Sequence, residues 1–384
     1  MIRNYYYTEE YSSRAIIRRC FLAKGRVTAE KFMILVEVLK KNALSMKKSF
    51  RDLAGARIDF DGYQFADGFM LRACLTQSEC SGLSFLFKNP YQEALKVFSS
   101  LFSSPLSLDE LTLSISKERV LDAQYDLSKL PYDSSLSMLG VSYSKPIVNL
   151  HLLESTTLDD VKEAYEEVRK NKVGEYLYVG KRQKSDPLKD LADFEKDFGG
   201  LPLDFSFGED DRYEEDFLYD NVSYVVQFDR IDDVIGYDTT TLVLSGICHY
   251  LKEKLSQDFK VKAIVRHDII SKIRGVISVS LPKGKWQMVS RFLSSFFSPS
   301  FLQESMKLLP STIEQMKMDS ILVFMNFNST LKRMERLSDL SLPLDSGIVS
   351  DRSLDLKKAR ELGLSMTMVH EHKCIHDKGV IFHD

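Results

Sequence analysis

Little in this sequence would cross-link it, anchor it in a bilayer or charge it strongly. Its five cysteines, Cys20, Cys74, Cys80, Cys248 and Cys374, are odd in number and widely spread. That pattern predicts the reduced thiols of a cytoplasmic protein rather than a disulfide framework. No apolar run approaches the ~20 residues that a membrane-spanning helix needs, which predicts no membrane insertion. The opening stretch MIRNYYYTEEYSSR is tyrosine-rich and polar and lacks the apolar centre of a secretion signal. A formal net charge of -3 gives no general affinity for nucleic acid or for an anionic membrane. Histidine is absent before His151, so the first part of the chain contains no imidazole to hold a metal.

What is present reads as folded protein. With 44% apolar and 28% charged residues over 384 positions, the chain is too long for one compact core and suits two domains. The clearest element is TAEKFMILVEVLKKNALS, where Phe32, Leu35, Val36, Leu39 and Ala43 recur at three- and four-residue steps, the spacing of a buried helical face. Thr28 is its candidate cap. A strand (RAIIRRCFLA, 14–23) precedes it. A second amphipathic piece, MKKSFRDLAGA, follows, with strands near 57–61 and 67–76. Helices are predicted over YQEALKVFSSLF to Phe102, over Leu108–Ser128, near Ser134–Tyr143 and from Thr156 to Asn171. EYLYVG (175–180) is a short strand.

Residues 186–220, with their acidic run GEDDRYEED, read as an exposed connector, and Glu209–Asp216 as a solvated loop. The order of elements then restarts. NVSYVVQFDRI is a strand, and a capped helix is predicted from Asp238. FKVKAIVRH and RGVISVSL are strands, followed by the helix KWQMVSRFLSSFF and a longer one from Phe301 bent at Pro310. Leu331–Leu340 and Asp355–Leu362 are further helical pieces, and MTMVHEHKC with GVIFHD a last strand. The expected fold class is therefore α+β, with two tandem diverged α/β repeats, each an antiparallel-rich sheet backed by helices. The first repeat spans 1–185, the connector 186–220 and the second repeat 221–384.

Three stretches carry a resemblance: FRDLAGARIDFDGYQFADGFMLRACL, LFSSPLSLDELTLSISKERVLDAQYDLSKLPYDSSLSML and TTLDDVKEAYEEVRKNKVGEYLYVG. With the order of elements, they make the chain resemble the pitrilysin/insulinase family of zinc metallopeptidases, which includes the processing peptidases. The resemblance implies a motif H-x-x-E-H on the first helix, two histidines one turn apart on zinc and a glutamate as base toward the bound water. Laid on this helix, the motif falls on Ile34, Leu35, Val36, Glu37 and Val38. The glutamate is kept at Glu37; Ile34 and Val38 stand where the histidines would be. The family's distal carboxylate falls near Asp122–Gln124, and its Arg/Tyr pair in the second repeat on Ser256 and Ala263. No glycine-rich loop like that of the family's mitochondrial non-catalytic subunit is evident. The expectation is a chain with no catalytic residue and no cofactor of its own, with Glu37 an ordinary polar helix position rather than a working base.

Other candidates weigh toward plain readings. HEHKCIH is the only dense set of ligand-type residues, with His370, His372, Cys374 and His376 at two-residue steps and His383 nearby. On a strand these four share a face and could take zinc or copper, but the spacing matches no standard structural zinc pattern, so no metal is expected here. Cys248–His249 are helix neighbours whose side chains diverge, which favours a buried thiol beside a half-exposed imidazole over a nucleophilic pair. Phe292, Phe296, Phe297 and Phe301 read as core. The resemblance implies a non-catalytic subunit of a heterodimeric zinc peptidase. Its partner would be an active sister subunit bearing H-x-x-E-H, where the zinc resides, and its substrate a small precursor peptide of bacteriocin or pheromone type. The alternative is a non-enzymatic scaffold or peptide-binding protein of the same duplicated fold without a peptidase partner.

Overall fold

The first helix, α1 (Ala29–Ala54), runs for 26 residues without interruption. Its start is fixed by Thr28, whose Oγ1 accepts from the Lys31 amide at 3.4 Å while its carbonyl accepts from the Phe32 amide. The piece expected as a separate second helix is simply its continuation, since no glycine or proline occurs between Ala29 and Ala54 to stop it. The computed structural model describes residues 2–8, 13–23, 25–54, 56–65, 68–78, 90–103, 105–129, 146, 148–170, 174–180, 219–345, 357, 359 and 362–372. The helix expected at 134–143, nearly all of the connector including Glu209–Asp216, most of the piece at 355–362 and the GVIFHD end lie outside them. The chain divides into two compact units, Met1–Tyr125 with Ser142–Gly208, and Glu209–Asp384 with Asp126–Val141.

In the first unit α1 lies on a five-stranded sheet of order β1-β5-β2-β4-β3. The strands are β1 (Ile2–Thr8), β2 (Ser13–Ala23), β3 (Ala56–Phe65), β4 (Gly68–Ser78) and β5 (Gly174–Gly180). Strands β2, β3 and β4 pair antiparallel, and β5 runs antiparallel to β2. β1 was not expected as a strand. It lies parallel to β5, from Ile2 opposite Gly174 to Thr8 opposite Gly180. Flanked on both edges, β5 is buried along all seven residues. The described helices of this unit are also α2 (Pro90–Ser103), α3 (Glu110–Lys129, which the division assigns to it as far as Tyr125), α4 (Leu150–Ser155) and α5 (Leu158–Lys170). α5 opens with a reciprocal cap: Thr157 Oγ1 accepts from the Asp160 amide, and Asp160 Oδ2 accepts from the Thr157 amide at 2.8 Å. Across the sheet, register partners Arg19 and Glu175 form a buried ion pair at 2.8 Å.

The second unit repeats the scheme. Strands β6 (Tyr219–Phe228), β7 (Ile264–Ser271), β8 (Arg274–Pro282) and β9 (Leu364–His372) form a sheet of order β7-β8-β6-β9, all antiparallel. That order maps strand for strand onto β3-β4-β2-β5. The helix corresponding to α1 is α6 (Val234–Phe259), also of 26 residues. Its cap is Asp233, not Asp238: Asp233 Oδ1 accepts from the Gly236 amide at 2.6 Å. α6 also runs past the expected start of β7, ending on Lys260 in the left-handed conformation (φ 55°). The alternation Phe259, Val261, Ala263, Val265 imitates a strand, but Val261 and Ala263 are buried in the turn at the helix end.

Helices α7 (Trp286–Ser295), α8 (Pro299–Ser305), α9 (Leu309–Met325) and α10 (Phe327–Asp339) follow. The expected long helix from Phe301 is interrupted by a 3-10 turn at Met306–Leu308. Pro310 cannot donate to the carbonyl four residues back, that of Met306, and its ring crowds that position. Gly246 of α6 faces this turn; a Cβ there would stand 3.1 Å from Leu309 Cδ2. Each unit has its own core between sheet and helices, one centred on Phe32, Leu35 and Phe98, the other on Leu244, Ile247 and Val279. Phe296 and Phe301 pack edge to face at 4.6 Å, with Phe292 and Phe297 against the same cluster, as core residues. One link recurs with its charges exchanged. Lys31 of α1 meets Asp160 of α5 at 2.6 Å, whereas Asp238 of α6 meets Arg333 of α10 at 2.8 Å.

Candidate functional site

The centre of α1 decides what the first unit can do. Ile34, Leu35, Val36 and Val38 have 0% exposure, and Phe32 likewise. The helix sits so close to β3 that a Cβ on Gly62 would meet Phe32 Cε1 at 2.7 Å and Val36 Cγ2 at 3.0 Å. Ile34 and Val38, one turn apart, are filled core positions, and their side chains carry no lone pair for a metal. These residues do not fit zinc. Glu37 is buried to 7% exposure, with its Oε1 accepting from Lys40 Nζ at 2.6 Å. Its carboxylate is neutralised one turn along its own helix.

The polar groups around this helix hold backbone together. Glu30 Oε1 accepts from the Asn149 amide at 2.9 Å, and Asn149 Oδ1 in turn caps α4 through the His151 and Leu152 amides. Lys41 Nζ donates to Thr112 Oγ1 of α3 at 2.6 Å. Where the family's distal carboxylate would fall, Asp122 is exposed and Gln124 is buried. Gln124 donates through Nε2 to the Pro146 carbonyl at 2.8 Å and accepts from the Val148 amide through Oε1. Both ends of its amide are committed to the chain that leads into α4.

In the second unit Ser256 is exposed near the end of α6, and Ala263 is buried in the turn after it. Cys248 is buried while its neighbour His249 points outward within 3.4 Å of Glu253. Burial pushes the Cys248 thiol pKa up, so it is not a nucleophile. His370 and His372 lie on the β9 backbone opposite Ser223 and Asn221. Their side chains, and Cys374, His376 and His383 entirely, fall outside the described residues. Among the described residues no three His, Cys, Asp or Glu side chains gather to hold a metal ion, and no helix is long and apolar enough to cross a membrane.

Sequence reasoning missed a polar cluster on α6. Arg333 donates to both carboxylate oxygens of Asp238, at 2.8 and 3.1 Å, with Asp345 3.7 Å away. Arg336 pairs with Asp268 of β7. Beside them Ser245 Oγ and His267 Nε2 are 2.8 Å apart. Asp238, Thr241 and Ser245 recur at three- and four-residue steps, a polar stripe that could have marked this face. Burial lowers the His267 pKa from 6.5 to about 4. The folded state therefore binds fewer protons than the unfolded chain between those values. Its contribution is complete above pH 6.5 and is lost as pH falls toward 4, by up to about 3 kcal/mol. Urea titrations between pH 7 and 4 should show this loss, and His267→Gln should flatten that part of the profile.

No family model matches the sequence, and no curated protein matches it. Similar folds do exist among solved structures. A conserved protein from Enterococcus faecalis V583 superposes with a TM-score of 0.62 at 13% identity, covering 97% of each chain. The peptidase M16 inactive domain from Pseudomonas fluorescens gives 0.55 at 10% identity over 94% of each. A protease from Helicobacter pylori gives 0.54 at 12% identity over 94% of this chain and 95% of that one. At such identities the likeness speaks for architecture alone. This chain has the duplicated α/β fold of M16-like peptidases, found both in a protein described as a protease and in a domain described as inactive.

Proposed function

We propose that this chain is a non-catalytic subunit of a heterodimeric zinc peptidase. In the cytoplasm it would bind and help process a small precursor peptide of the bacteriocin or pheromone type. The observation that carries this reading is the packing of Ile34 and Val38, core aliphatics at the two positions where imidazoles would grip zinc. A helix rebuilt around apolar packing keeps the architecture and gives up the chemistry. Zinc and base then reside in a sister subunit with an intact H-x-x-E-H motif, and this chain contributes wall and peptide contacts. An extended peptide added to a sheet edge would be held through main-chain hydrogen bonds, a mode tolerant of sequence.

Co-expression with a zinc-motif protein encoded beside it, followed by a peptide-cleavage assay, tests the proposal. Cleavage is expected only when both chains are present, and a chelator should abolish it. Stable peptide binding with no cleavage in any pairing would favour the scaffold reading. Chelator-sensitive cleavage by the isolated chain would overturn the proposal.

A further inference from the structure

The two sheets match strand for strand except at one edge. In the first, β1 lies beside β5 and runs parallel to it, from Ile2 opposite Gly174 to Thr8 opposite Gly180. In the second, β9 stands in the place of β5, and among the described residues no strand pairs with its outer edge. A bare edge presents a row of N–H and C=O groups that templates an added strand. We propose that this edge is a docking site for an extended segment parallel to β9, and that its occupant is residues 209–214 of this chain, which lie outside the described residues.

Position is the first reason for naming that segment. Residues 9–12 join β1 to β2, and residues 215–218 would make the same join to β6, which begins at Tyr219. Passing over the one strand between takes about 10 Å, which four residues can span. From Glu209 onward this stretch also belongs to the second unit.

Sequence is the second. The core residues Ile16, Cys20 and Leu22 of β2 fall on Val222, Val226 and Phe228 of β6 at one constant offset, 206 positions, as from Ile16 to Val222. At that offset the run Tyr7, Thr8, Glu9, Glu10, Tyr11 falls on Tyr213, Glu214, Glu215, Asp216, Phe217. Tyrosine meets tyrosine, acid meets acid twice, and an aromatic meets an aromatic.

Charge is the third. Carried over by the same offset, the register of β1 on β5 puts Arg212 opposite Glu371 and Asp211 opposite His370. Opposite charges directly across a sheet help pairing, and like charges oppose it. The segment has little intrinsic strand preference, but charged residues are what natural edge strands carry to prevent further pairing. The second repeat then begins near residue 209 rather than at 221, and the outer edge of β9 is closed to an incoming peptide. The inference does not depend on the peptidase-subunit reading.

Amide hydrogen exchange of the full chain, resolved by fragmentation, tests it. Residues 209–214 are expected to exchange at least about tenfold more slowly than a free peptide of their sequence. Arg212→Glu, which sets like charges across from each other, should speed their exchange several-fold, and adding Glu371→Arg should restore the protection. β8, inside the sheet, should stay protected in both variants. Free-peptide exchange through 209–214, or protection there that Arg212→Glu leaves unchanged, would overturn the proposal. So would protection of β9 that disappears when residues 374–384 are removed, since the edge would then belong to those residues.

Discussion

Asp238→Ala is expected to lower the stability of the second unit by about 3–5 kcal/mol, because it strands a buried guanidinium. Arg333 is held by both oxygens of Asp238 in a bidentate geometry, and only 13% of its side chain is exposed. Desolvation by burial would by itself lower the Arg333 pKa, and the Asp238 carboxylate more than reverses this, so its pKa stands above the ordinary value. Remove the carboxylate and the remaining partner, Asp345, is half exposed and 3.7 Å away. The half-buried Tyr237 ring lies 5.7 Å from the Arg333 guanidinium and offers it no carboxylate in place of Asp238. Removing both charges with Asp238→Ala and Arg333→Met should cost less than Asp238→Ala alone, since no orphaned ion remains. Chemical denaturation of the three variants gives the coupling energy directly. A loss below about 1 kcal/mol for Asp238→Ala would mean that the pair behaves like a surface bridge.

What the sequence made legible was the local part of the fold. Phe32, Leu35, Val36, Leu39 and Ala43 announce α1 because a helical face is written at fixed short steps, and the alternation in RGVISVSL announces β8 in the same way. The duplicated order of elements could be read because each repeat restarts with a strand and a long helix. What stayed hidden depends on partners far along the chain. β1 becomes a strand by pairing with β5, more than 160 residues away, and nothing in IRNYYYT names that partner. Arg19 in RAIIRRCFLA resembles a surface charge until Glu175 is brought opposite it. Asp238 imitates a cap because acidic residues favour helix starts, yet Asp233, five residues earlier, is the residue that caps α6. At the candidate site the aliphatic residues at 34 and 38 could be read from residue identity alone. The burial of Ile34 and Val38, and the use of Gln124 to bind two backbone groups, could not.

Placing an H-x-x-E-H motif on α1 should therefore destroy the first unit before it creates a metal site. Ile34→His with Val38→His replaces two aliphatic side chains of 0% exposure by imidazoles inside a packed cluster. Each change forfeits about 1–2 kcal/mol of apolar burial and adds about 1–3 kcal/mol for a buried polar group without a designed partner. The double variant should lose about 4–10 kcal/mol, comparable with the whole stability of an ordinary domain. Even a folded fraction would lack the remaining ligand, because Asp122 is exposed and Gln124 is committed to Pro146 and Val148. The control is Ile34→Val with Val38→Ile, which conserves the combined volume and should cost less than about 1.5 kcal/mol. Circular dichroism melting and zinc equilibrium dialysis on both double variants provide the comparison. A histidine variant that melts like the parent and retains one zinc per chain would show that α1 still guards an open site, and the reading of a helix rebuilt around apolar packing would fall with it.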